Sequence, residues 1–383
     1  MANNNPMGAI SSYLTIFSVV MGLMGATCSS LHMMSECKKA EKGSVALYIF
    51  GDSYFDVGNN NYINTSTLDQ ANFWPYGLSY FNSSTGRFSD GRLISDFIAE
   101  YAKVPIPAPI MQPKNEEEDN YVNGANFASA GAGSLVQTFQ GAVIDLKTQL
   151  NNYKKVKFWL RNKLGYSKSD KILRSAVYLI SIGTNDYLST FLTNSTLLSS
   201  YSQTQYVQMV IGNLTTVVRE IHKNGGRKFG FLNLGDLGCL PGLRMLNPPN
   251  KNGCLEEASK LAKLHNVELH NLLLGIEKKL KGFTYSLYDF NRSLRHRMNH
   301  PSTYGFKEGK RACCGTGRYR GIYSCGGKRP VKQFEVCKSP KRHVFWDSYH
   351  LTQTIYQQMA DEMWNGSHRL SGPSTLKALF QCL

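Results

Sequence analysis

Apolar and polar positions follow two different rhythms along this chain. Four compact apolar runs, Val45-Ala46-Leu47-Tyr48-Ile49-Phe50, Ala176-Val177-Tyr178-Leu179-Ile180-Ser181-Ile182, Lys228 to Leu234 and Phe283 to Tyr288, have the length and bulk of buried strands. Between them the apolar residues space out to a helical period. Around Tyr206 to Lys223, the residues Val207, Val210, Ile211, Leu214, Val217, Val218 and Ile221 form one stripe, and Asn224-Gly225-Gly226 supplies the stop. A second helix, from about Leu255 to Leu280, puts Leu261, Leu264, Leu272, Ile276 and Leu280 on one face. A third is marked by Leu146, Leu150, Tyr153, Val156, Leu160 and Leu164. Strand and helix in alternation predict an α/β fold, a parallel sheet with helices on both faces.

The apolar runs exit into Gly51-Asp52-Ser53, Gly183-Thr184-Asn185-Asp186, Gly235-Asp236-Leu237-Gly238 and Asp289-Phe290-Asn291. Ligands of open α/β sheets bind beyond the carboxyl ends of the strands, so these polar turns are expected on one edge, with Ser53 and Asn185 meeting there. A strand that ends in glycine and delivers a serine at the turn exposes a nucleophilic hydroxyl, although Gly, Asp and Ser also begin ordinary turns. Far along the chain, Asp347-Ser348-Tyr349-His350 holds a carboxylate and an imidazole three residues apart, which a helical turn would carry on one side.

Composition narrows the setting. The 383 residues, 42% of them hydrophobic, suffice for one large core and contain no long low-complexity linker. Residues 8 to 26 are apolar and end in small residues, as in a secretory signal peptide spanning 1–28 and cut between Ala26 and Ser30. Met1 to Met7 lack Lys and Arg, and a retained anchor helix is the other reading. Six Asn-x-Ser/Thr sequons, at Asn64, Asn82, Asn194, Asn213, Asn291 and Asn365, point to the same secreted, extracellular setting, in the apoplast or cell wall. Of nine cysteines, Cys239, Cys254, Cys313, Cys314, Cys325 and Cys337 cluster in Gly-rich sequence and predict three disulfides, each contributing about 2–4 kcal/mol. Cys239 with Cys254 is the preferred pair, leaving Cys313 and Cys314 to reach Cys325 and Cys337 in either order. The two-residue spacing of a zinc knuckle is absent among them. His296 and His300 stand at i and i+4 without an evident third ligand, so no metal site is assigned. Basic residues outnumber acidic ones by 43 to 27, mostly within Lys147 to Arg174 and Lys307 to Arg342. In a secreted chain such patches meet anionic cell-wall polymers or a membrane surface rather than nucleic acid; a solvated basic face is the plainer alternative.

Four blocks in order, Gly51-Asp52-Ser53 with Asp56 and Gly58-Asn59-Asn60, then Gly124 to Gly133, then Gly183-Thr184-Asn185-Asp186, then Asp347-Ser348-Tyr349-His350, resemble those of the GDSL, or SGNH, serine hydrolases. Asn72 to Gly77, Gly86 to Arg92 and Leu237 to Pro241 resemble the plant GDSL esterase/lipases in particular. The resemblance covers residues 44 to 370 and leaves 371–383 as a C-terminal tail. It implies a three-layer α/β/α sandwich with a mainly parallel, flavodoxin-like sheet. It also implies roles: Ser53 as nucleophile, His350 as its base, Asp347 as the carboxylate orienting that base. The oxyanion hole would combine the N–H groups of Ser53 and Gly131 with the side-chain amide of Asn185; Gly133 lies two residues beyond Gly131 in the same turn. Tyr54 replaces the leucine that usually follows the serine, a change that bears on substrate fit.

The chemistry is coherent on its own terms. A serine hydroxyl needs an adjacent base, the base needs a partner to fix its tautomer, and the negative oxygen formed on attack needs preorganised donors. Neither metal nor organic cofactor is required. The expected activity is hydrolysis of small-molecule or lipid acyl esters. An acyltransferase using the same residues, and a catalytically silent binding or defence protein, are the alternatives; the intact residue set counts against the last.

Overall fold

The computed structural model describes Met1 and residues 45–113, 121–193, 197–248, 253–366 and 370–381. The signal-peptide reading, the sequon at Asn194 and the cysteines Cys28, Cys37 and Cys382 lie outside them. One compact unit, Glu41–Phe380, carries the fold; of the second, Met1–Ala40 with Gln381–Leu383, only Met1 and Gln381 are described.

Six strands form the main sheet: β1 (Leu47–Gly51), β2 (Gly124–Asn126), β3 (Val177–Ser181), β4 (Lys228–Leu232), β5 (Thr284–Tyr288) and β6 (Ser371–Pro373). Their order is β2-β1-β3-β4-β5-β6, parallel except for β6, which runs antiparallel to β5. β1, β3 and β4 are buried along their whole length and, Lys228 and Ser181 apart, carry apolar side chains without alternation, as parallel strands covered on both faces require. Residues 371–383, set apart by sequence as a tail, thus supply the edge strand and, over Leu376–Gln381, a short helix. β6 reads Ser-Gly-Pro and has no apolar signature; its pairing to β5 makes it a strand.

The helices named below are α1 (Ile94–Ala102), α2 (Leu146–Leu164), α3 (Thr184–Leu192), α4 (Gln203–Lys223), α5 (Glu256–Lys279), α6 (Phe290–Asn299) and α7 (Gln353–Asn365). Helix α4 packs between α2 and α5, and α1 packs on α7. All seven apolar residues of the α4 stripe are buried, and Ser202 caps its start with a reciprocal Gln205 contact. In α5 the buried stripe is shifted from the expected one. It runs through Ala258, Leu261, Ala262, His265, Leu269, Leu273 and Ile276, with Leu264, Leu272 and Leu280 half-buried at its margin. Leucines are so dense in α5 that the periodicity admits two neighbouring faces, and the packing selects one.

Among the described residues three disulfides are present: Cys239–Cys254, Cys313–Cys337 and Cys314–Cys325. The first ties the turn after β4 to the start of α5. The other two staple the long segment between α6 and α7. Among the described residues no helix is long and apolar enough to cross a membrane.

Candidate active site

The topology switches direction between β1 and β3, and both strands open onto one crevice there. β1 ends at Gly51, whose φ of 150° suits glycine alone, and a Cβ there would lie 2.3 Å from the Ser181 carbonyl oxygen of β3. Gln149 of α2 clamps the same residue, accepting from its N–H at 2.9 Å and donating to its carbonyl at 2.8 Å. The chain then turns sharply, with Phe55 and Asp56 donating back to the Asp52 carbonyl, and Ser53 stands at the bend.

The Ser53 Oγ lies 2.8 Å from His350 Nε2. On the far side of the ring, His350 Nδ1 lies 2.8 and 2.9 Å from the two oxygens of Asp347. The i, i+3 pair does not sit on a helical turn as expected. Residues 346–350 form a tight loop closed by the Trp346 N–H donating to the His350 carbonyl, and Asp347 Oδ1 accepts the N–H groups of Tyr349 and His350. That is an Asx-type turn, in which the aspartate side chain takes the backbone donors a helix would have used. Burial by itself would raise the Asp347 carboxyl, but the His350 ring and the donors from His350, Tyr349 and Tyr76 outweigh it and hold the group at about 2. A hydroxyl bonded to an imidazole whose other nitrogen meets a buried carboxylate can lose its proton as it attacks an electrophile.

Asn185, in the first turn of α3, lines the same cavity, and its side-chain amide donates to the Ala132 carbonyl at 3.0 Å. Among the described residues its second amide hydrogen has no partner. Gly131 also lines the cavity, at φ 79°, whereas a Cβ on Gly133 would meet Asp186 and Thr138 in the packing behind. Neither the Ser53 nor the Gly131 N–H donates to another group among the described residues. Asp186 fixes the turn, accepting from the N–H groups of Ser134 and Leu135 and from the Thr138 hydroxyl. The cavity measures about 460 Å3 and is mainly apolar, with Leu68, Phe88, Phe139, Leu188 and Leu192 on its walls.

A GDSL-like lipase/acylhydrolase domain matches residues 47–363. The chain belongs to the GDSL-like lipase/acylhydrolase family. GDSL esterase/lipase 5 of Arabidopsis thaliana is 55% identical over 374 residues, covering 96% of each chain. A GDSL lipase of Tanacetum cinerariifolium is 44% identical, covering 94% of this chain and 93% of its own. The chain is thus a GDSL esterase/lipase, a carboxylic ester hydrolase by family. An Arabidopsis relative named as an inactive GDSL esterase/lipase-like protein, 34% identical across 87% of this chain and 74% of its own, makes the state of the individual site residues matter.

In this GDSL hydrolase several residues around the site take roles that the residue pattern does not disclose. Tyr76 donates to Asp347 Oδ2 at 2.7 Å, and the fully buried Arg329 donates from Nη2 to the hydroxyls of Tyr76 (3.2 Å) and Tyr323 (2.8 Å) and to the Gln70 carbonyl. Arg329 lies between Cys325 and Cys337, so the two distal disulfides frame the segment that brings a cation behind the carboxylate. Phe88 stacks obliquely on the His350 ring at 4.6 Å. The segment bearing Phe88 is pinned to α7 through Asp90, which accepts the Gln353 N–H, and Gln353 in turn accepts the Arg92 N–H. Tyr54 is nearly buried and donates to the Tyr349 carbonyl at 3.1 Å, bracing the histidine loop as well as walling the cavity. His296, on α6, and His300, the residue capping its end, lie outside this site, with His296 bonded to Tyr304. The one ligand-type cluster among the described residues, Cys313, Cys337 and His343, has its cysteines joined to each other.

The floor of the site is rich in buried acids, and they set a pH dependence of stability. Burial lifts Asp52 to about 7, against the Tyr54 N–H, and its Oδ2 accepts no hydrogen bond among the described residues. Desolvation likewise lifts the fully buried Asp56 and Asp186, and the half-buried Asp69, to about 6. A carboxyl raised on folding stabilises fully below its unfolded value of about 4 and loses that contribution as pH rises through the folded value. His265, buried and lowered to about 3, acts oppositely, losing its contribution as pH falls. Burial raises Asp90 as well and lowers His222 and His343 as it does His265, and the five raised carboxyls outweigh the three lowered imidazoles across this window. The thermal midpoint is therefore expected to fall between pH 5 and pH 8, and Asp52→Asn to flatten the slope. Calorimetry across that range checks it, and a midpoint that rises with pH counts against the assignment.

Proposed function

We propose that the chain is a secreted serine esterase/lipase that hydrolyses acyl esters through an acyl-enzyme on Ser53. The observation that carries this reading is the unbroken series Ser53 Oγ, His350 Nε2, His350 Nδ1, Asp347 at the end of a mainly apolar cavity. His350 Nε2 takes the Ser53 proton as Oγ bonds to the ester carbon. The carbonyl oxygen becomes negative against the N–H groups of Ser53 and Gly131 and the Asn185 amide. When the C–O bond to the alcohol breaks, His350 returns the proton to the leaving alkoxide; water then repeats the cycle on the acyl group and frees Ser53. Secretion is supported by the disulfides and by the exposed sequons at Asn64, Asn82, Asn213 and Asn365. Asn291 is half-buried and its side-chain amide donates to the Leu234 carbonyl at 3.0 Å, while the exposed Asn213 amide donates to the Met209 carbonyl within α4 at 3.0 Å. The basic patches remain the surfaces for anionic wall polymers or membranes.

The disulfide-bonded protein is expected to hydrolyse p-nitrophenyl butyrate and to take up a fluorophosphonate probe; doing neither sinks the reading, and product analysis with a competing alcohol separates hydrolysis from acyl transfer. Asn185→Ala is expected to lower kcat about 100- to 1,000-fold with KM within a few-fold, because a donor aimed at the oxyanion acts mainly in the transition state. A loss below threefold would take Asn185 out of the oxyanion hole.

A further inference from the structure

One wall of the cavity does not suit a purely hydrocarbon ligand. Asp69 closes the short 3-10 turn Thr67–Asp69 and lines the cavity that holds Ser53. Its backbone is committed, with the N–H donating to the Ser66 carbonyl and its carbonyl accepting the Asn60 side-chain amide. No hydrogen bond to its carboxylate is found among the described residues, and the charge that acts on it is that of Arg329. Oδ1 lies beside the oxyanion turn: a Cβ built on Gly131 would come within 2.7 Å of it. Burial raises the group, and Arg329 opposes that rise from behind. Arg329 itself donates to Gln70, Tyr76 and Tyr323.

An acyl ester lacking hydrogen-bond donors would desolvate this carboxylate without replacing the lost water, a cost that buried polar groups meet only through a partner. It would also leave a negative group next to the atom that becomes negative during attack. A hydroxyl on the substrate, donating to Asp69, removes both penalties at once. We propose, building on the esterase reading above, that Asp69 is a specificity-determining residue that selects esters carrying a hydroxyl close to the scissile carbonyl.

That hydroxyl can stand on the acyl side or on the alcohol side of the ester, and three probes separate the two: propyl butyrate, propyl 3-hydroxybutyrate and glycerol monobutyrate. In a pH-stat, the wild-type protein is expected to favour at least one hydroxylated ester over propyl butyrate by about 10- to 100-fold in kcat/KM, the scale of a charge-assisted hydrogen bond. The one favoured tells which side Asp69 reads. Asp69→Leu is expected to bring the ratio to about one and Asp69→Asn to a few-fold, the asparagine keeping shape and fold if leucine does not. Ratios within threefold of one for both hydroxylated esters in the wild type overturn the proposal, as does a preference that survives in Asp69→Leu. No turnover of any of the three removes the esterase reading and this inference with it, whereas turnover without preference removes this inference alone.

Discussion

Ser53→Ala is expected to lower kcat for p-nitrophenyl butyrate about a million-fold and to abolish labelling by a fluorophosphonate. The size follows from what the change removes. Other hydroxyls reach the cavity, among them Ser66, Thr184, Thr193, Tyr323 and Tyr349, but Ser53 is the one bonded to His350 Nε2. An alanine there leaves a base with nothing to deprotonate except water, and the acyl-enzyme cannot form. Stability should change little, since the Ser53 side chain has that single hydrogen bond and the bend is made by Gly51, Asp52 and the backbone donors of Phe55 and Asp56. Active-site titration with the probe, alongside a melting curve, separates loss of the nucleophile from loss of the fold. Retention of even a hundredth of the wild-type rate, with contaminating esterase excluded by an empty-vector preparation, would falsify the assignment of Ser53.

Why Ser53 was readable and its surroundings less so is a matter of range. The strand before it is a continuous apolar run because β1 is covered on both faces, and local burial of that kind writes itself into composition. The same holds for β3, β4 and the α4 stripe. β2 and β6, three residues each, read Gly-Ala-Asn and Ser-Gly-Pro and exist as strands through their pairing with β1 and β5. The contact between Ser53 and His350 joins residues 297 apart, so residue pattern alone offers chemistry without proximity; the ordered family blocks supplied what the periodicity lacked. Tyr76 and Phe88 lie inside blocks recognisable by resemblance, Asn72 to Gly77 and Gly86 to Arg92, yet their roles depend on which side of the imidazole and carboxylate they approach. Arg329 had no signal at all beyond a basic segment, because a buried arginine and a solvated one are the same letter. The Asp347 turn went the other way: its spacing suggested a helix, and the aspartate's own competition for the backbone donors decided against it.

That turn underlies the second large effect. Asp347→Asn should leave the loop nearly intact and lower kcat about ten-thousand-fold at neutral pH. Asp347 is fully buried and accepts from four donors: His350 Nδ1, the N–H groups of Tyr349 and His350, and the Tyr76 hydroxyl. An asparagine can keep the two backbone donors on its oxygen, but its NH2 then faces either Nδ1 or Tyr76. Facing Nδ1, it donates to the ring, which must carry its proton on Nε2, the nitrogen that has to receive the one from Ser53. The base is held in the wrong tautomer, and the imidazolium formed during attack loses its counter-charge in a site where burial magnifies that loss. KM should stay within a few-fold, because the side chain lies behind the ring and away from the cavity. Steady-state kinetics on p-nitrophenyl butyrate, with a melting curve to show that the loop survives, decides it. A variant that folds and keeps more than a tenth of the wild-type kcat would mean that His350 takes its orientation from Phe88 and Tyr54 alone, and Asp347 would be left as a structural residue of the turn.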